Sequence, residues 1–243
     1  MVTTGEDDTE EMAPLDTTVE TVVFDIDGTL LDSNYHHTLA WSRAFAAYVD
    51  THVPAREIHR SIGMGGDRLV AAVAGDDVEA EHGDDIRDRW EEEYDKIIEE
   101  TQLFEGAREL LASIGKAGPE VVLASSSIPK HAEHPLKLLH ADEHADAWTT
   151  SEDAEDSKPD PELIEEALEK VRGSRAVMVG DAVWDVEAAK KADLPTIGLL
   201  TGGYSRQELL EAGAVAVYDD PADLLAHLEE ALAAAGVPRA AGS

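Results

Sequence analysis

Hydrophobic and polar positions follow two regimes along this chain. Residues 21–26 (Thr-Val-Val-Phe-Asp-Ile) form a short β-branched apolar run, the pattern of a buried strand. From Asn34 to about Phe104 the apolar residues fall at helical spacing instead. Helices are predicted over 36–50, 54–61, 66–74 and 80–100, broken at Pro54, at Gly63-Met64-Gly65-Gly66 and at Gly75, and no strand is expected in that stretch. Beyond Gly106 the two patterns take turns. Helices over 107–117, 130–140, 160–171, 183–192, 205–212 and 221–234 alternate with strands over 121–124, 147–149, 176–179, 196–200 and 215–218. Such alternation specifies a doubly wound, mostly parallel α/β sheet.

The helical block after the first strand is then an insertion over that sheet. The expected division is a core of 18–33 and 105–235, with an inserted helical cap of 34–104. Residues 1–17, polar and acidic, are expected to be a disordered tail, and 236–243 a frayed C-terminal tail. Pro135 falls inside the helix expected at 130–140 and predicts a kink or two short turns.

In a parallel sheet, ligands bind beyond the carboxyl ends of the strands. The strand at 21–26 ends in Asp25 and Asp27. The strand at 121–124 ends in Ser125-Ser126-Ser127, and that at 176–179 in Gly180-Asp181. Lys158 precedes a helix that returns to the sheet. Asp25 and Asp27, two apart, face one side of an extended chain, and Gly28 permits a tight turn that exposes both. One carboxylate can attack phosphorus; the other can protonate the leaving oxygen and then deprotonate water. Asp185, four after Asp181, lies one helical turn on and can reach the same side.

Four segments in this order resemble the motifs of the haloacid dehalogenase superfamily. They are Asp25-Ile26-Asp27-Gly28-Thr29, Ser125 after an apolar strand, Lys158 in Ser157-Lys158-Pro159, and Gly180-Asp181-Ala182-Val183-Trp184-Asp185. The resemblance implies a phosphatase with Asp25 as nucleophile and Asp27 as acid and base. Ser125 would bond a phosphate oxygen, with Ser126 or Ser127 as substitutes, and Lys158 would be the fixed cation. It implies Mg2+ held by Asp25, the Asp27 backbone carbonyl and Asp181, with Asp185 behind them or as a weaker ligand. A small phosphorylated metabolite is the expected substrate.

The insert is similar to the helical cap of the phosphoglycolate phosphatase and β-phosphoglucomutase branch. Tyr35-His36-His37 with Trp41 resembles the mutase branch at the cap entrance, where a histidine at the place of His37 assists closure. Ile62-Gly63-Met64-Gly65-Gly66-Asp67-Arg68 falls where that branch has a specificity loop. Gly65 and Gly66 would admit substrate close to the backbone, and Arg68 would meet an anion. A sugar-phosphate mutase is therefore the alternative. A dehalogenase would need neither Asp27 nor Asp181, and a phosphonate hydrolase would have a small residue in place of Asp27. A non-catalytic domain would have lost at least one of the four motif residues. His131, His134, His140 and His144 have metal-pair spacing, but on a polar segment they read as a solvated face. Trp184 reads as packing.

Charge changes the picture further. Asp and Glu number 53 against 19 Lys and Arg, a net charge of −34, whereas a small soluble domain carries a magnitude of about 2–8. Seven of the acids lie in the first twenty residues, so most of the excess belongs to the folded body. Such a surface repels nucleic acid and anionic membranes, and it resembles proteins of salt-loving organisms. There is no cysteine, hence no disulfide and no thiolate chemistry. No apolar run reaches the roughly 20 residues of a membrane span, and the first twenty residues hold no Lys or Arg to begin a secretory signal. The expectation is a cytoplasmic monomer or small homo-oligomer.

Overall fold

Apolar side chains on both faces of the strands dictate a sheet covered on both sides. The computed structural model describes residues 17–154 and 156–236, so the two tail expectations lie outside the described residues except for Thr17 and Gly236. The chain runs through β1 (Thr21–Phe24), β2 (Leu31–Asp32), α1 (Asn34–Tyr48), α2 (Ala55–Ser61), α3 (Gly66–Ala74), α4 (Asp76–Tyr94) and β3 (Gln102–Leu103). It continues through α5 (Ala107–Ala117), β4 (Glu120–Ala124), α6 (Pro129–Leu139), α7 (Ala141–His144), β5 (Ala147–Thr149), α8 (Glu162–Glu169) and β6 (Ala176–Gly180). It ends with α9 (Val183–Lys191), β7 (Thr196–Leu199), α10 (Arg206–Ala212), β8 (Ala216–Tyr218), α11 (Pro221–Ala226) and α12 (Leu228–Gly236).

Six strands form one parallel sheet in the order β5-β4-β1-β6-β7-β8. Successive side chains point to opposite faces. Val22, Phe24, Val121, Leu123, Val177 and Val179 accordingly join one apolar core, while Val23, Val122, Ala124 and Met178 join the other. Strand order reverses beside β1, so its carboxyl end opens into a crevice at the topological switch point. The insert has a core of its own, built on Trp41, Phe45, Ile58, Leu69, Val70 and Ile86.

Three expectations are corrected. A strand does occur before Phe104: Gln102–Leu103 pairs antiparallel with Leu31–Asp32 and ties the entry of the insert to its exit. A two-residue strand has too few positions to show alternation. The helix expected over 80–100 runs from Asp76 to Tyr94, followed by a single tight turn at 98–100. Gly75 (φ 93) both ends α3 and starts α4, and Asp76, Asp77 and Glu79 in the first turn favour the positive end of the helix dipole. Finally, α6 passes through Pro135, and the break falls at His140 (φ 52). Pro135, seven residues into α6, forgoes the one bond its N–H would make to the His131 carbonyl, and the rest of the helix continues around it.

Candidate active site

Asp25 continues β1, its N–H donating to the Val179 carbonyl at 3.0 Å. The chain then folds through Gly28 (φ 83). A Cβ on Gly28 would collide with Asp181 and Asn34, so only glycine lets this turn pass beside the end of β6. Thr29, carried by the turn, donates to Asp181 Oδ1 at 2.7 Å and to Asp25 Oδ2 at 3.2 Å. Asn34, opening α1, donates to Asp181 Oδ2 at 3.0 Å. Lys158, in the loop before α8, is 1% exposed and bonds Asp25, while its ammonium lies 2.8 Å from Asp185 Oδ1. Asp185 also accepts from the Ala182 N–H at 3.0 Å and so caps α9.

Three buried carboxylates therefore crowd around one lysine, which pairs directly with Asp25 and Asp185. Oxygens of Asp25, Asp181 and Asp185 lie within 4.8 Å of one another. Burial pushes the Asp25 carboxyl well above its ordinary pKa against the pull of Lys158, and Asp185 and Asp181 push the same way. Burial and then Asp185 push Asp181 up to about 7, against the hydrogen bonds from Thr29 and Asn34. Burial disfavours the Lys158 ammonium, yet Asp185 and Asp25 hold its pKa well above the usual lysine range. An all-oxygen donor set with surplus negative charge suits a hard divalent cation of the magnesium type.

Asp27 sits in a different setting. Although burial opposes its charge, His37, Ser33 and Ser127 hold its carboxyl well below the usual range. Ser33 and Ser127 donate to it at 2.7 and 2.8 Å, and His37 Nε2 lies 3.2 Å from Oδ1. His37 itself is stacked on Tyr94 with ring centroids 4.0 Å apart. A chamber of about 60 Å3 beside Asp25 and Asp27 is lined by Ile62, Gly65 and Ser126 among others.

The structure thus brings Asp25, Asp27, Lys158, Asp181, Asp185 and His37 together. Ser125 is buried, and its hydroxyl accepts from the Ser127 N–H at 3.1 Å; Ser126 and Ser127 stand nearer the chamber. Gly65 and Gly66 line the chamber, and a Cβ on Gly65 would run into Ser157. Arg68 is not brought in: it pairs with Asp67 at 3.7 Å and Asp156 at 3.1 Å. His131 is not solvated but 2% exposed, bonded to Asp95 at 2.9 Å and wedged edge-on against Tyr94. Trp184 packs as expected and also donates to the Arg60 carbonyl of the insert at 3.1 Å. The sequence marks Thr29 only as part of the first motif and does not single out Ser33 or Asn34, for which closeness to that motif is the available signal.

Comparison with known proteins identifies the family. The sequence pattern of haloacid dehalogenase-like hydrolases matches residues 19–193, and a HAD-hydrolase-like pattern matches 156–231. A phosphoglycolate phosphatase of Caulobacter vibrioides is 28% identical over 200 residues, 80% of this chain and 84% of that one. A phosphorylated carbohydrates phosphatase of Thermotoga maritima is 28% identical over 219 residues, 88% of this chain and 100% of that one. The crystal structure of a hydrolase from Pseudomonas syringae superposes with a TM-score of 0.81 at 34% identity, over 86% of this chain and 98% of that one. With the family pattern spanning well over half of its length, the chain belongs to the haloacid dehalogenase-like hydrolases.

Proposed function

We propose that this chain is a magnesium-dependent phosphatase of small organic phosphomonoesters that works through an aspartyl-phosphate on Asp25. The observation that carries the reading is the buried Asp25 carboxylate at the sheet switch point, bonded to Lys158 and flanked by Asp181 and Asp185. A carboxylate and a phosphate dianion about 4 Å apart repel by roughly 8 kcal/mol at an effective dielectric near 20. Asp25, Asp181 and the Asp27 carbonyl would hold Mg2+, with Asp185 behind them. When bound, the ion offsets that repulsion and polarises the phosphoryl oxygens.

Lys158 holds Asp25 and the phosphoryl group together as a fixed positive charge. An Asp25 oxygen attacks phosphorus while the bond to the leaving oxygen breaks, its electron pair staying with that oxygen. Asp27, ionised in the free site, takes up a proton as the phosphate dianion binds beside it and passes that proton to the leaving oxygen. Asp27 then takes a proton from water, whose oxygen attacks phosphorus and frees Asp25. Ser125, or Ser126 or Ser127 in its stead, would donate a hydroxyl to a phosphate oxygen.

Asp25→Asn tests the scheme, because an amide is a poor nucleophile. Phosphate release should fall by at least about four orders of magnitude with thermal unfolding nearly unchanged. Chelation should stop the wild-type enzyme and magnesium restore it. Near-native turnover of Asp25→Asn would end the covalent scheme, and full activity in excess chelator would end the metal dependence. Isomerisation of a sugar phosphate without release of phosphate would move the assignment to the mutases.

A further inference from the structure

Beside the small chamber over Asp25 lies a larger cleft of about 320 Å3 between the insert and the core. The two share Gly65, Gly66, Trp90 and Ser126, so a group carried on a phosphoryl at Asp25 extends into the larger space. Its lining contains four carboxylates, Asp67, Asp88, Glu91 and Asp156, against one base, Arg87. That base is already engaged: Arg87 donates to Glu79 at 3.0 Å, to Asp84 at 2.8 Å and to the Gly66 carbonyl at 3.2 Å. The neighbouring cations are engaged in the same way. Arg68 is held between Asp67 and Asp156, and Lys130 between Glu91 at 3.0 Å and Asp95 at 2.7 Å. Each cation beside the cleft is thus taken by two carboxylates, and Asp88 has no basic partner among the described residues.

We propose that this cleft selects an uncharged, polyhydroxylated leaving group, a sugar or polyol, and rejects one that carries a carboxylate or a second phosphate. The inference rests on the phosphatase reading and narrows it. An anionic leaving group would find no free cation and would face surplus negative charge, and such like-charge contacts discriminate strongly. Hydroxyl groups reverse the balance, since they donate to Asp67, Asp88 and Asp156. They also supply partners to polar atoms of the wall: Trp90 Nε1, Ser126 Oγ and Ser157 Oγ are sheltered from solvent and have no hydrogen-bond partner among the described residues. A site with unpaired polar groups favours the ligand that pairs them. The Trp90 ring offers an apolar surface for the carbon skeleton.

The test is kcat/KM, at one ionic strength and saturating magnesium, for a hexose or pentitol monophosphate, phosphoglycolate, pyrophosphate and a neutral aryl phosphate. The sugar or polyol phosphate should exceed phosphoglycolate and pyrophosphate by about tenfold or more. Asp88→Lys should narrow that ratio at least severalfold, and Asp88→Asn less so. Phosphoglycolate or pyrophosphate turned over as well as the polyol phosphate, with the aryl phosphate also hydrolysed, would overturn the selectivity alone. Release from none of the four would overturn the phosphatase reading and the selectivity with it.

Discussion

Ser33, Ser127 and His37 converge on the Asp27 carboxylate, two hydroxyls donating and one ring nitrogen 3.2 Å away. His37 also leans on Tyr94 and Trp90, so its ring is locked by packing. On this geometry it would act through Asp27, as a positioning residue. His37→Ala should lower kcat by about tenfold to a hundredfold, less than the loss of a general acid itself. The loss should be the same for a sugar phosphate and a small aryl phosphate, with KM nearly constant; a loss that followed the leaving group would place His37 on the substrate instead. Asp25, Asp27, Lys158 and Asp181 were legible in the sequence because each sits at a fixed offset from one strand or proline pair. Asn34 was not, and Ser127 was legible only as a substitute for Ser125, because their contacts depend on how turns bring separate segments together. Arg68 was misplaced for the same reason: its partner Asp156 lies 88 residues away.

Elements join at two places that matter for closure. The β2–β3 ribbon fastens both ends of the insert, and a second fastening lies at the end of α2. There Arg60 stacks 3.9 Å above the Tyr204 ring and pairs with Glu208 of α10, and its carbonyl accepts from Tyr204 Oη at 2.6 Å and Trp184 Nε1 at 3.1 Å. Tyr204→Phe removes one hydrogen bond of about 1 kcal/mol. If this clasp holds the insert closed over substrate, KM should rise roughly fivefold while Asp25 chemistry is little changed. An unaltered KM would show that the clasp is not part of closure. Glu208 adds a pH signature. Backbone and side-chain hydrogen bonds from Ser205, then Arg60, hold its pKa down to about 2. A depressed carboxyl contributes stability that is full above the unfolded value of about 4.3 and is lost as pH falls toward the folded value. The difference in melting temperature between wild type and Glu208→Gln should therefore be constant from neutral pH to about 5 and shrink below it. A difference that grew on acidification would refute the assignment. The long alternating elements were readable because periodicity accumulates over many residues. The ribbon and this clasp were not, since each rests on a few residues meeting across the fold.

At the scale of the whole molecule, charge dominates. No helix among the described residues is long and apolar enough to cross a membrane, and 53 acids face 19 bases. Many bases are already shared: Arg87 serves Glu79 and Asp84, and Lys130 serves Glu91 and Asp95. What remains is self-repulsion, which loosens a compact state. The Debye length is about 10 Å at 0.1 M salt and about 3 Å at 1 M, so molar salt separates neighbouring carboxylates electrostatically. The same screening weakens exposed ion pairs, but each of those contributes only about 0–1 kcal/mol. Repulsion summed over the surplus acids should outweigh that loss. The melting temperature should therefore climb steeply from dilute buffer to molar potassium chloride. Activity should rise less, because screening weakens only the long-range attraction that draws substrate phosphate toward Lys158, while short contacts inside the buried site are screened little and gain nothing from salt. The measurement is thermal unfolding and phosphate release across that salt series. A flat or falling melting temperature would mean that the paired acids, not the surplus ones, govern the surface, and the likeness to proteins of salt-loving organisms would then stop at composition.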